Sequence, residues 1–181
     1  ETEQTDYIKA QIENIMDGRT LRKDAVRMCC WVVDAPKGLP EEKKTAFFQA
    51  TYDFLIDRYG TKSGMGEDVV ISAYIHKSET TDHIHFAFLP VVEREGQKSF
   101  CAKEAVGRED LKTFHEDLAK KLEEEGICQR SDILNGKTQR DANGRALSVK
   151  ELKRHRAMER DRKVDRWTNQ IDRTERKISR W

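Results

Sequence analysis

Apolar positions near the start of the chain, Tyr7/Ile8, Ile12 and Ile15/Met16, recur at helical spacing, and Asp17-Gly18 closes the run. This predicts a short amphipathic helix over 4–16. Ala25 to Asp34 (AVRMCCWVVD) is dense in β-branched and aromatic residues and is bounded by Ala35-Pro36 and Gly38, the marks of a buried strand. Leu39-Pro40-Glu41-Glu42 opens a second helix, with proline early and carboxylates in the first turn, where the helix dipole favours them. Phe47, Phe48, Tyr52, Leu55, Ile56 and Tyr59 form its buried face as far as Gly60, after which TKSGMGED reads as a flexible polar loop. Two apolar stretches follow, Asp68–His76 and His83–Val92, joined by the six residues Lys77 to Asp82. So short a connection predicts an antiparallel hairpin. Ile71, Ala73 and Ile75, with Ile84, Ala87 and Leu89, make both stretches candidates for central strands.

Glu93 to Gln97 reads as a turn around Gly96, and Lys98 to Ala102 as a further short strand. A helix from Arg108 to Glu125 carries Leu111, Phe114/His115, Leu118 and Leu122 on one stripe and stops at Gly126. Residues 127–146, with Asn135-Gly136 and Asn143-Gly144, suggest a loop or small hairpin. From Ser148 to Trp181 there is neither glycine nor proline, and Ala157, Val164, Trp167, Ile171, Thr174, Ile178 and Trp181 fall on a three-to-four spacing. This predicts a long C-terminal helix with a narrow coiled-coil-like seam. The predicted order α, β, α, β, β, β, α, α describes an α+β fold in which helices flank an antiparallel β-sheet. It divides into a domain over 1–146 and a basic helix over 147–181.

Composition sharpens this picture. Charged residues reach 37%, against about 25% in ordinary domains, which calls for much exposed helical surface. The net charge of +1 conceals an asymmetry of −5 over 1–146 and +6 over 147–181. The basic segment suits nucleic acid or another anionic partner, yet its charges alternate in sign, as on a solvated helix. No apolar run approaches a membrane span and no export signal opens the chain, so neither membrane insertion nor Sec-type export is expected and a cytoplasmic location is. Cys29, Cys30, Cys101 and Cys128 show no C-x-x-C spacing, consistent with reduced, packed thiols. The chain starts at Glu1 and ends at Trp181 within a helical pattern, so a piece of a longer protein is expected.

The chemistry gathers in His76-Lys77-Ser78-Glu79-Thr80-Thr81-Asp82-His83-Ile84-His85, which holds three of the five histidines. Side chains alternate along a strand, so His83 and His85 share a face, and a hairpin sets His76 beside them. Three imidazoles then converge, enough for a facial N₃ site with open positions for a first-row metal. Glu79, in the connection, can serve as a further ligand or can fix a histidine by accepting its second N–H. An isolated H-x-H pair is commonplace on an exposed sheet face, but a third histidine among apolar strands is not. His115 and His155 fall on predicted helices as surface residues.

These residues resemble the mobilisation relaxases of the Mob/Pre plasmid-recombination class, the MobV group of the HUH (His-hydrophobic-His) endonucleases. Their motif, approximately H-x-D-E-x-T-P-H-x-H, is matched at His76, Glu79, Thr81, His83 and His85, while Ser78 replaces the usual Asp and Asp82 the usual Pro. The resemblance extends to Leu21-Arg22-Lys23-Asp24-Ala25-Val26, Phe47-Phe48 and Arg108-Glu109-Asp110-Leu111, and covers roughly residues 7–130. It implies a relaxase fold and a metal-dependent, strand-specific DNA-nicking transesterase. Such an enzyme acts on single-stranded DNA at an origin of transfer and forms a covalent 5′-phosphate intermediate. It also implies a divalent ion, Mn²⁺ or Mg²⁺, on His76, His83 and His85, and a tyrosine or histidine nucleophile upstream of Glu1. Tyr7 is the sole aromatic hydroxyl near the start, and its spacing assigns it to helix packing.

Arg19, Arg22 and Lys23 before the first strand, and Lys137, Arg140 and Arg145 in the later loop, are candidate contacts to DNA phosphates. The C-terminal helix is a candidate for homodimerisation or for packing on a partner helix. Two other readings stand beside the relaxase. One is a rolling-circle replication initiator of the HUH class. The other is a non-catalytic DNA-binding or dimerisation module with a structural histidine trio.

Overall fold

The computed structural model describes residues 2–77 and 81–134, and beyond them 143, 145, 147–148, 150–151, 154–155, 157–162 and 164. Two compact units emerge, Glu1–Asn135 and Gly136–Trp181. In the first, α1 (Thr2–Met16) precedes β1 (Cys29–Asp34), and α2 (Glu41–Ser63) leads through a 3₁₀ turn (Gly66–Val69) into β2 (Val70–His76). Then come β3 (His83–Phe88), β4 (Val91–Arg94), β5 (Gln97–Phe100), α3 (Ala102–Ala105), α4 (Arg108–Glu124) and α5 (Arg130–Ile133). The fold is α+β, with antiparallel sheets flanked by helices.

β3 is central in a three-stranded sheet of order β1-β3-β2, antiparallel to both neighbours, and β4 and β5 pair separately. Ile84, Phe86 and Phe88 point from β3 into the core, where they meet Phe47, Phe48, Leu55 and Tyr59 of α2 and Phe114, Leu118 and Leu122 of α4. Trp31 stacks on Phe114 at 3.9 Å, and Tyr59 on Phe88 at 4.2 Å. A polar tie crosses the same core. Trp31 Nε1 donates to the Tyr59 hydroxyl at 2.6 Å, which donates to Asp110 at 2.9 Å, and Asp110 also accepts from Arg58 at 2.7 Å.

The elements differ from the pattern-based expectation in ways that have physical causes. β1 starts at Cys29 rather than Ala25 because its partner β3 ends at Phe88, opposite Cys29. Val26 and Met28 are consequently half exposed. α2 runs through Gly60 to Ser63, so most of the expected polar loop is helix and 3₁₀ turn. Gly60 serves a close approach instead of a stop, since a Cβ there would lie 2.5 Å from the Gly66 carbonyl oxygen. The helix ends at Gly64, in the left-handed conformation at φ +61°. The stretch 83–92 is two strands, because Pro90 has no N–H for a ladder. β2 is an edge strand, with Ile75 40% exposed, rather than a central one. Leu111 lies on the solvent side of α4, and α5 replaces part of the expected loop after Gly126.

In the second unit, the described residues between 150 and 164 are helical, and Met158 and Val164 are exposed. Ser148 and Glu151 form a reciprocal box at its start: the Ser148 N–H donates to the Glu151 carboxylate at 2.7 Å, and the Glu151 N–H to Ser148 Oγ at 3.3 Å. The seam positions Trp167, Ile171, Thr174, Ile178 and Trp181 lie outside the described residues. Among the described residues, no helix is long and apolar enough to cross a membrane.

Candidate metal centre

The hairpin β2–β3 pairs His76 directly with His83 and Tyr74 with His85. Direct antiparallel partners share a face, and residues two apart on a strand do so too, so all four rings gather on the side of the sheet opposite the core. The imidazole centroids are 5.1 Å apart for His76 and His83, 4.5 Å for His76 and His85, and 5.0 Å for His83 and His85. One nitrogen from each ring lies within 4.8 Å of the other two. Neutral imidazole is a strong ligand for divalent first-row ions, and a trio from two adjacent strands leaves the remaining coordination positions open. The donor set therefore fits such an ion.

His83 is buried at 7% exposure, whereas His76 and His85 are half-buried. The Nδ1 of His83 stands 2.9 Å from the Thr81 carbonyl oxygen. A carbonyl can only accept, so Nδ1 carries the proton of the neutral ring and Nε2 keeps its lone pair for a ligand. The loop end is held from outside the hairpin. Lys44 Nζ, on α2, donates to Asp82 at 2.8 Å and pairs with Glu41 at 2.6 Å. The Asp82 carbonyl accepts the Ala35 N–H at 2.9 Å.

Two neighbours of the trio went unrecognised in the sequence. Tyr74, 49% exposed, stacks on His85 with centroids 5.3 Å apart and planes 8° from parallel, and its ring is 5.1 Å from that of His76. Its position two residues before His76 on one strand was the available signal. Asp34 is the direct β1 partner of His83 and shares its face. Glu79, with Ser78 and Thr80, lies outside the described residues.

The candidate DNA contacts are placed as follows. Arg19 donates to the carbonyls of Ile15 (2.7 Å), Met16 (2.9 Å) and Lys98 (2.9 Å), which commits it to the end of α1 and to β5. Arg22 forms a two-pronged pair with Asp24 at 3.1 and 2.7 Å on the surface, and Lys23 is exposed. Arg145 pairs with Glu151 at 2.7 Å. Lys137 and Arg140 lie outside the described residues. The Tyr7 hydroxyl donates to the Asp68 carbonyl at 2.6 Å, and burial raises its pKa. Both effects suit a packing role for Tyr7 and work against a phenoxide nucleophile. His115 and His155 are exposed.

Comparison with known proteins matches residues 1–132 to the family described as plasmid recombination enzyme, Mob_Pre. A plasmid recombination enzyme of Streptococcus agalactiae is 29% identical over 155 residues, which covers 82% of this chain and 29% of the relative. One from Lactiplantibacillus plantarum is 28% identical over 158 residues, covering 82% and 40%. The chain thus spans less than half the length of these curated relatives. Among solved structures, a Mn-bound crystal structure of the MobM relaxase domain with plasmid pMV158 oriT DNA matches with a TM-score of 0.60 at 26% identity. That match covers 85% of this chain and 71% of the other. A second structure of that domain, bound to a 26-nucleotide oriT DNA, gives 0.58 at 27% identity, covering 83% and 78%.

Proposed function

We propose that this chain, which belongs to the plasmid recombination enzyme family, is part of a metal-dependent DNA relaxase. In this reading it nicks one strand at an origin of transfer in the bacterial cytoplasm, with single-stranded DNA as its partner. The observation that carries the proposal is the convergence of His76, His83 and His85 on one face of the hairpin, one nitrogen of each within 4.8 Å of the others. These three residues would hold Mn²⁺ or Mg²⁺. When bound, such an ion polarises a non-bridging phosphate oxygen and offsets the charge that develops there during transesterification.

The chain's own residues account for the rest of the arrangement. The Thr81 carbonyl sets the tautomer of His83, and the Tyr74 ring backs His85 and limits its rotation. The rigid central strand β3 fixes the spacing of His83 and His85. Glu79 is assigned to orienting a ligand histidine, and Arg22, Lys23, Lys137 and Arg140 to neutralising backbone phosphate. Tyr7 is committed to the Asp68 carbonyl, and we place the nucleophile upstream of Glu1, as the family resemblance implies.

Calorimetry with Mn²⁺ tests the centre. The double substitution His83→Ala/His85→Ala should abolish binding, and Glu79→Ala should weaken it about 10–100-fold, as expected for an outer partner. Unchanged affinity in the histidine variant would refute the assignment. The placement of the nucleophile has its own test. The chain, mixed with Mn²⁺ and an origin-containing oligonucleotide labelled downstream of the nick, should give no denaturant-resistant protein–DNA band. A robust band would locate the nucleophile within it.

The basic segment 147–181 is assigned to packing against a second helix. Met158 and Val164 are exposed within its own unit, and two large indoles, Trp167 and Trp181, follow. Deleting 157–181 should leave Mn²⁺ binding intact while lowering the number of chains per particle seen by light scattering or the affinity for DNA. If neither changes, the segment is a solvated spacer.

A further inference from the structure

We infer that Lys44 is a positioning residue for the histidine trio, acting through Asp82 and the Thr81 carbonyl on the imidazole of His83; the inference rests on the metal-centre reading above. The contacts form an unbroken path. Lys44 Nζ reaches Asp82 Oδ2 at 2.8 Å, from side chains only 26% and 14% exposed. The Asp82 carbonyl accepts the Ala35 N–H at 2.9 Å, one residue beyond the last β1–β3 pair, Asp34 with His83. Residue 82 is therefore fixed by both its side chain and its main chain.

The Thr81 carbonyl and the Asp82 N–H belong to one planar peptide unit, so fixing residue 82 restricts where that carbonyl points. It points at His83 Nδ1, 2.9 Å away. This contact decides which nitrogen of His83 is free to face His76 and His85. In the motif this hairpin resembles, proline stands at position 82. A proline ring fixes its own φ and pushes the preceding residue out of the helical region. Asp82 imposes neither restraint, and the Lys44 pair supplies the hold from α2 instead. An ion pair near the surface contributes little to overall stability. The demand here is on direction, and partners that orient a metal-binding histidine are worth about 10–100-fold in metal affinity.

Three variants of the full chain separate this role from general packing. Mn²⁺ affinity, measured by calorimetry, should fall several-fold in Lys44→Met, less than the about 10–100-fold of a group bonded directly to a metal-binding histidine. It should stay near wild type in Lys44→Arg, which keeps the Asp82 pair, and in Glu41→Gln, which removes only the other carboxylate. Nitrogen-15 NMR of the metal-free protein, at a pH of about 8 where an ordinary imidazole is neutral, gives a readout independent of metal. His83 should be the Nδ1–H tautomer in wild type and a mixture of tautomers in Lys44→Met. If Lys44→Met does not fold, Asp82→Ala, which leaves the Lys44–Glu41 pair, should show the same two changes. Wild-type affinity together with a retained Nδ1–H tautomer in these variants would overturn the inference. If wild type itself binds no Mn²⁺, the metal-centre reading fails, and the tautomer comparison still decides the role of Lys44.

Discussion

Tyr59 joins three elements through one oxygen: its hydroxyl accepts from Trp31 on β1 and donates to Asp110 on α4, while its ring stacks on Phe88. Burial, then the nearby Asp110 carboxylate, push its pKa well above the usual phenol range, so it stays a donor. Tyr59→Phe preserves the ring but leaves the indole N–H without its acceptor. Urea denaturation should show a loss of about 2 kcal/mol, the scale of a buried polar group left unpaired. At this scale the clustering of the three histidines was largely legible, since H-x-H on a strand fixes a shared face and a six-residue connection returns His76 to it. Tyr74 follows from the same alternation. Lys44 does not, because it lies 38 residues from Asp82, and no local pattern links a helix lysine to one particular loop carboxylate.

The box that starts the C-terminal helix gives this element a pH signature. Arg145 first, then the Ser148 backbone and side chain, hold the Glu151 carboxyl down to about 2 from its ordinary 4.5. The folded value lies below the unfolded one. The contribution is therefore complete above pH 4.5 and lost as pH falls toward 2. The amide resonances of Ser148 and Glu151 should move toward random-coil positions over that window in wild type, and Glu151→Gln should flatten the change. Ser148-x-x-Glu151 could have been read directly as a helix start. The end of α2 could not. Gly60 looks like a stop in sequence, and only its approach to the Gly66 backbone shows why a helix interior keeps a residue without a side chain. The start of β1 at Cys29 likewise depends on where its partner strand ends, which is information held by pairing rather than by composition, whereas the break at Pro90 was there to be read in a residue without an N–H.

At the scale of the whole molecule, the α+β arrangement followed from the alternation of helical and strand periods, whereas the separation of β4–β5 from the main sheet did not. The histidine trio has a further consequence, in the order of folding. All three histidines come from one hairpin, His76 to His85, and hairpins close in about 1–10 μs, long before distant segments dock. The Lys44 contact, by contrast, needs α2 already seated on the sheet. If the trio holds an ion as proposed, a chain whose hairpin has closed would grip it loosely before the helix arrives and tighten on it afterwards. Such an ion would then have some affinity for the unfolded ensemble, and would raise the melting temperature by less than its affinity for the native state alone would give.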